Sequence, residues 1–270
     1  MTDQQLDDLV TRIGDELLTR LGIAQPPPPA HACACAAEPQ AAPPPPAAAP
    51  SWIPARIGLD CRDMRNTSAD IGARCLQART LELGAVSVFP SHVVAAGRVL
   101  RRTGVRIAAG VGWPHGATST AAKALETELA LGQGADEIEV VVPSGALLAG
   151  EDDLVFGELK FIAEMTHRAA KTVTAIIETP VLHQDRQIAA CALSRLAGAD
   201  AVCAAAGLAV HGLASAEAVR LFRKVVGQDI RVHAAGGVAS AAAALTLASA
   251  GADRVTIEFL PGALREAGPF

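Results

Sequence analysis

The stretch Gly134-Ala135-Asp136-Glu137-Ile138-Glu139-Val140-Val141 decides how this chain folds. A helical pattern over 120–132 runs into Gly134, the residue that most easily takes the left-handed conformation ending a helix. A β-rich run follows after only two residues. The same phrase returns as Gly198-Ala199-Asp200 and Gly251-Ala252-Asp253, each time just ahead of another β-rich run. Working outward, the strand candidates are 57–61, 85–89, 106–112, 137–142, 173–178, 201–205, 230–234 and 254–258. Helical patterns lie between them, for instance at 69–83, 120–132, 154–170, 184–197, 216–226 and 239–248. Eight strand–helix units imply a parallel sheet with helices outside it. Over 220 residues (51–270) the natural closed form is α/β, a (β/α)8 TIM barrel, whose catalytic groups sit at the C-terminal ends of the strands.

Composition excludes several classes of function. With 23 Lys+Arg against 28 Asp+Glu and a net charge of −5, the chain lacks the basic field that draws in nucleic acid. Aromatic content of 3% with no Tyr leaves no base-stacking platform. No run of eighteen apolar residues is present to span a membrane, and the acidic start MTDQQLDDLV has no apolar core of a signal peptide. A cytoplasmic location is expected, and the six cysteines then read as reduced thiols. No CxxC spacing occurs. Cys75 and Cys191 fall in helical patterns as small core residues, while Cys33 and Cys35 lie in a low-complexity stretch.

Two segments precede the barrel. Residues 1–25 carry an amphipathic helix, with Leu6, Leu9, Val10, Ile13, Leu17, Leu18 and Leu21 at helical spacing. Thr2 and Gln5 are spaced for a capping box, and Gly22 ends the helix. Residues 26–50 hold Pro26–Pro29, Pro39, Pro43–Pro46 and Pro50, a Pro/Ala-rich linker expected to be an extended, semi-rigid spacer. A helix tethered in this way has no intramolecular partner obliged to cover its apolar stripe. It is expected to dock on another protein; folding back on its own barrel or self-association is the alternative.

Within 51–270 several stretches resemble the deoxyribose-phosphate aldolase family. Gly112-Trp113-Pro114-His115-Gly116-Ala117-Thr118 is similar to its G-F-P-x-G-A-T segment, and Gly134 to Val141 to its G-A-D-E-x-D-x-V segment. Gly145-Ala146-Leu147 and Gly150 keep the family spacing. Ile176-Ile177-Glu178-Thr179 and Ala235-Gly236-Gly237-Val238 match its strand-five and strand-seven motifs, and Asp60 stands at the Asp of its D-H-T segment.

The resemblance implies a Schiff base on a strand-six Lys, assisted by a second Lys on strand seven and a strand-four Asp. Those positions are Cys203, His233 and Glu139 here. Glu139 can still act as a general acid or base. A thiol cannot form an imine, and a hemithioacetal is no electron sink for a carbanion. The four lysines, Lys123, Lys160, Lys171 and Lys224, fall in helical patterns or just ahead of a strand. The phosphate cradle keeps Gly207, Gly236 and Gly237, but Glu258 brings negative charge towards it and Ala239 replaces an Arg.

Three functions are compatible with these residues. The chain is a non-catalytic relative of the aldolases, expected to have no cofactor and to be a homo-oligomer. Its helix and linker resemble the encapsulation peptides of bacterial microcompartment cargo, so a shell or cargo protein is the expected partner of residues 1–25 and the compartment the expected location. Alternatively it is a diverged carbon–carbon lyase acting on a small aldehyde or sugar phosphate. That lyase would use a Cys203–His233 nucleophile or a divalent metal on Glu139, Cys203, His233 and Glu258, although the same residues serve as barrel filling with no metal. In the third, activity on 2-deoxyribose 5-phosphate survives.

Overall fold

The computed structural model describes residues 2–24, 54–205 and 214–258. Eight parallel strands close into one barrel in sequence order: β1 (Ile57–Asp60), β2 (Ala85–Val88), β3 (Arg106–Val111), β4 (Glu137–Val141), β5 (Thr172–Ile177), β6 (Ala201–Ala204), β7 (Arg231–Ala234) and β8 (Arg254–Ile257). The helices are α1 (Asp3–Arg20), α2 (Ser68–Thr80), α3 (Val93–Leu100), α4 (Thr120–Gln133), α5 (Ser144–Ala149), α6 (Asp152–Arg168), α7 (Gln184–Leu196), α8 (Ala216–Val226) and α9 (Ala241–Ser249). The expected (β/α)8 architecture is the observed one. The proline-rich stretch 26–50, with Cys33 and Cys35, lies outside the described residues, as does Gly207.

The repeated Gly-Ala-Asp phrase is a staple at the N-terminal rim of the barrel. Gly134, Gly198 and Gly251 take positive φ (104°, 88° and 112°), which turns the chain out of each helix. The Asp that follows reaches sideways to the start of the preceding odd-numbered strand. Asp136 accepts from the Ile107 N–H, Asp200 from Val173 and Asp253 from Val232, at 3.2, 2.8 and 2.8 Å. Three of the eight strand pairings are thereby pinned in register by a side chain as well as by the sheet ladder.

Along β4, Ile138 and Val140 join the large apolar cluster between sheet and helices. Glu137 and Glu139 point the other way, since Glu137 meets Arg254 of β8, a strand that does not pair with β4. Side-chain alternation thus puts two carboxylates inside the barrel.

The amphipathic helix forms as expected, with Thr2 and Gln5 in a reciprocal capping box and Gly22 at φ +62°. Its stripe, expected to lack an intramolecular partner, has one. Leu17 is buried, and Leu6, Leu9, Val10, Ile13 and Leu21 pack on the main apolar cluster, with α1 lying against α7. Leu18 is half-buried and outside that packing. Ion pairs pin both ends: Arg20 to Asp152 at 2.5 Å and Lys224 to Asp7 at 2.9 Å. The reason lies in α7, where every residue from Ile188 to Ser194 is buried. A helix apolar on all sides needs cover on its outer face as well as against the sheet. Among the described residues no helix is long and apolar enough to cross a membrane.

Candidate functional site

The interior of the barrel divides into a charged side and a neutral one. On the charged side Glu137 receives both terminal nitrogens of Arg254 (2.8 and 2.6 Å) and the Thr174 hydroxyl (2.6 Å). Burial alone would raise its pKa, but the Arg254 charge and hydrogen bonds more than offset this, so the carboxyl is held well below the usual range. Glu139 accepts from Arg62 Nη1 at 2.7 Å, from Arg254 Nη2 at 3.2 Å and from Ser87 Oγ at 3.2 Å. Here burial dominates, and the pKa is raised despite the two guanidinium groups.

Arg62 is the residue that sequence reasoning missed. It follows β1 by two positions, folds back into the barrel, and has a side chain only 1% exposed. Its Nε and Nη2 each donate to Asp60 at 2.8 Å, and its guanidinium lies 3.9 Å from the centroid of the Trp113 ring. Gly110 on β3 makes room for it, because a Cβ there would sit 3.2 Å from Arg62 Cδ. The available signal was the departure from the D-H-T pattern, which reads Asp60-Cys61-Arg62 in this chain. Asp60 is the carboxylate partner of Arg62.

The neutral side carries Cys203 and His233, opposite one another in the β6–β7 register. Cys203 packs with Val141, Ile176 and Ala235, and Trp113 leans on the group. Among the described residues its Sγ reaches the carbonyl oxygens of Ala204 and Ala205, at 3.9 and 3.8 Å. Burial, reinforced by Glu139, raises the thiol pKa far above its ordinary value, so the sulfur stays protonated. Burial and then Arg254 push the His233 pKa well down, leaving the ring neutral. His233 Nδ1 has no hydrogen bond among the described residues and stands 4.0 Å from Glu137 Oε1.

No hydrogen bond joins Cys203 to His233, so the structure does not assemble the nucleophile–base pair that the lyase alternative needs. Among the described residues no group of three or more His, Cys, Asp or Glu is arranged to hold a metal ion. Of the four candidates, Glu139 is committed to two arginines, and Glu258 faces a backbone amide.

That amide belongs to the expected anion cradle. Gly236 and Gly237 turn through positive φ (90° and 67°). The Gly237 N–H, however, donates to Glu258 Oε1 at 3.0 Å. An internal carboxylate thus occupies the donor that an incoming phosphate would use.

The lysines lie elsewhere. Lys123 is fully buried beneath the β3–α4 loop, bound to Glu158 at 2.5 Å and to the Val141 carbonyl at 2.9 Å. Lys171 pairs with Asp136 and Lys224 with Asp7, while Lys160 is exposed beside Phe156.

The chain is similar to known proteins. No protein-family model matches the chain. It is 41% identical over 172 residues to a deoxyribose-phosphate aldolase of Clostridium botulinum, covering 64% of this chain and 80% of that protein. It is 39% identical over 189 residues to one from Aciduliprofundum boonei, covering 70% and 85%. A crystal structure titled as a putative deoxyribose-phosphate aldolase from Coccidioides immitis superposes with TM-score 0.72 at 27% identity, covering 91% of this chain and 93% of that one. With 41% and 39% of the aligned residues identical over 80% and 85% of those two relatives, the chain belongs to the deoxyribose-phosphate aldolase family.

Proposed function

We propose that this aldolase-family barrel does not carry out amine-dependent retro-aldol cleavage and serves instead as an accessory or cargo protein of a bacterial microcompartment. The observation that carries the first half is the placement of the lysines. All four belong to the outer helices or the strand rims, and the interior position on β6 holds a protonated thiol. Without a primary amine in the barrel there is no imine, and without an imine nothing delocalises the electron pair left when the carbon–carbon bond breaks. The Glu258 carboxylate on the Gly237 amide adds to this reading, since phosphate would have to displace a like charge. The loss of charge-assisted contacts there weakens phosphate binding by about 1–3 kcal/mol for each contact.

The second half rests on residues 1–25 and their resemblance to encapsulation peptides. Because α1 lies on α7, its apolar face must leave the barrel before a shell protein can take it. Assembly into a homo-oligomer is part of the same proposal; a tetrameric relative from Aeropyrum pernix provides the precedent. One specific observation favours a second reading, retained cleavage of 2-deoxyribose 5-phosphate, namely the 41% identity to a protein that carries the aldolase name.

Retro-aldol assay on 2-deoxyribose 5-phosphate, with borohydride trapping of any imine, separates the two. The proposal expects no acetaldehyde release and no reduced adduct on any side chain. Turnover with an adduct mapped to one lysine establishes the second reading. Removal of residues 1–25 should abolish co-sedimentation with shell protein, and co-sedimentation that survives removal defeats the compartment role.

A further inference from the structure

The mouth of the barrel contains a site that the aldolase relationship does not assign. Around the Arg62 guanidinium stand the Asp60 carboxylate (2.8 Å from each of two nitrogens), the Glu139 carboxylate (2.7 Å) and the face of Trp113 (3.9 Å). Apolar groups of Val141, Ile176, Cys203 and Ala235 form the wall beside Trp113. Paired carboxylates in the plane and an indole on the face are the elements that recognise a flat organic cation.

Arg254 gives both terminal nitrogens to Glu137 and shares one of them with Glu139, so Glu139 is held by two arginines, Asp60 pairs with Arg62, and the Glu258 carboxylate stands at the rim.

We propose that the barrel mouth is an organic-cation site in which Arg62 is the resident occupant, and that the ligand it takes is a small guanidinium or primary ammonium compound rather than a phosphate monoester. A neutral sugar entering the mouth would have to break the Arg62 ion pairs and replace none of them. A phosphate would meet three carboxylates and find the Gly237 amide already bonded. A cation restores each contact that Arg62 gives up. Arg62 lies only two residues beyond β1, outside the sheet ladder, so its side chain can leave without breaking the barrel. This inference goes beyond the proposed function and does not depend on it.

The full-length chain carrying Trp52→Phe, which leaves Trp113 as its single indole, tests the idea by chemical rescue. Arg62→Ala in that background should lower Tm. Millimolar methylguanidinium chloride should then raise the Tm of the variant several-fold more than it raises that of the parent, and should change Trp113 fluorescence saturably. Sodium phosphate and sodium chloride at equal ionic strength should do neither. If Arg62→Ala does not fold, Arg62→Lys serves. It keeps the charge but gives up the planar fork, and methylguanidinium should again favour it over the parent. Equal Tm shifts for parent and variant, or stabilisation of the variant by phosphate, would overturn the proposal. Retro-aldol turnover of 2-deoxyribose 5-phosphate by the parent would defeat the proposed function and the exclusion of a phosphate monoester alike, whereas the cation measurements read the Arg62 site separately.

Discussion

Inside the barrel, the inward faces of β1, β4 and β8 are dense with charge, whereas the surroundings of Cys203 on β6 are apolar. On the first, Asp60, Arg62, Glu137, Glu139 and Arg254 share a closed set of ion pairs. On the second, Ile176, Cys203 and Ala235 form a small apolar cluster next to a neutral His233. The contrast teaches where the chemistry went. The carboxylates implied by the family resemblance are present and fully partnered, whereas the positions of the two amines hold groups that carry no charge at neutral pH. The cations that balance the carboxylates are instead arginines, one of them from outside the strands. A guanidinium can balance charge, but it cannot form the carbinolamine and imine of an aldolase.

The largest expected effect tests the charged side. Arg254→Met removes the fork from Glu137 and one contact from Glu139, leaving a carboxylate buried without its main partner. Breaking a buried pair in this way costs about 3–5 kcal/mol. Urea unfolding at neutral pH should show that loss, and Glu137→Leu combined with Arg254→Met should recover most of it. A single-variant loss of less than about 1 kcal/mol, the scale of an exposed pair, would mean that the two sides do not differ as described.

How much of this was legible follows from what each signal can carry. The eight strands are β-rich runs separated by Gly-Ala-Asp and other helix stops, and their starts agree with the structure to within one residue. The short helix α3, Val93–Leu100, escapes a coarse reading because it is only eight residues long. Glu139, Cys203 and His233 sit on strands, so alternation fixes their faces. Glu137 shares the face of Glu139 by the same rule. Arg62 is different in kind: it lies past the end of β1, and no periodicity says that a long flexible side chain turns inward. The docking of α1 had a signal that lay in another element. The run Ile188 to Leu193 is apolar around the whole helix, with alanine or cysteine at four positions, and such a helix needs an outer neighbour.

A middle-sized effect tests the neutrality of His233. Burial and the positive charges of Arg254, Arg231 and Arg106 depress its pKa, with Glu137 opposing them. The unfolded chain protonates this ring near the ordinary value of 6.5, while the folded chain does not. The stability contribution is therefore fully present above pH 6.5 and is lost as pH falls below it, at up to about 1.4 kcal/mol per pH unit. His233→Gln cannot titrate. The difference in unfolding free energy between parent and variant should be flat above neutral pH and drift in favour of the variant as the medium is acidified. Parallel curves throughout would mean that the ring takes up its proton in the folded barrel as readily as in the unfolded chain, and the neutral side would lose its definition.

The smallest effect concerns the sulfur itself. Cys203→Ala removes one buried atom from the cluster of Val141, Ile176, Ala235 and Trp113, a change comparable with the loss of a single methylene, about 1 kcal/mol. Had Cys203 been an activated thiolate stabilised by His233, its removal would also eliminate a reactive group. Instead the thiol is protonated and covered, so iodoacetamide at mildly alkaline pH should label Cys203 in the unfolded chain and leave it unlabelled in the folded one, as peptide mass mapping would show. Rapid labelling in the folded state would place a thiolate at the mouth and give the neutral side a nucleophile after all. Slow labelling that accelerates in Arg62→Ala would be more informative still, since it would show that the guanidinium supplied by the charged side is what seals the neutral one.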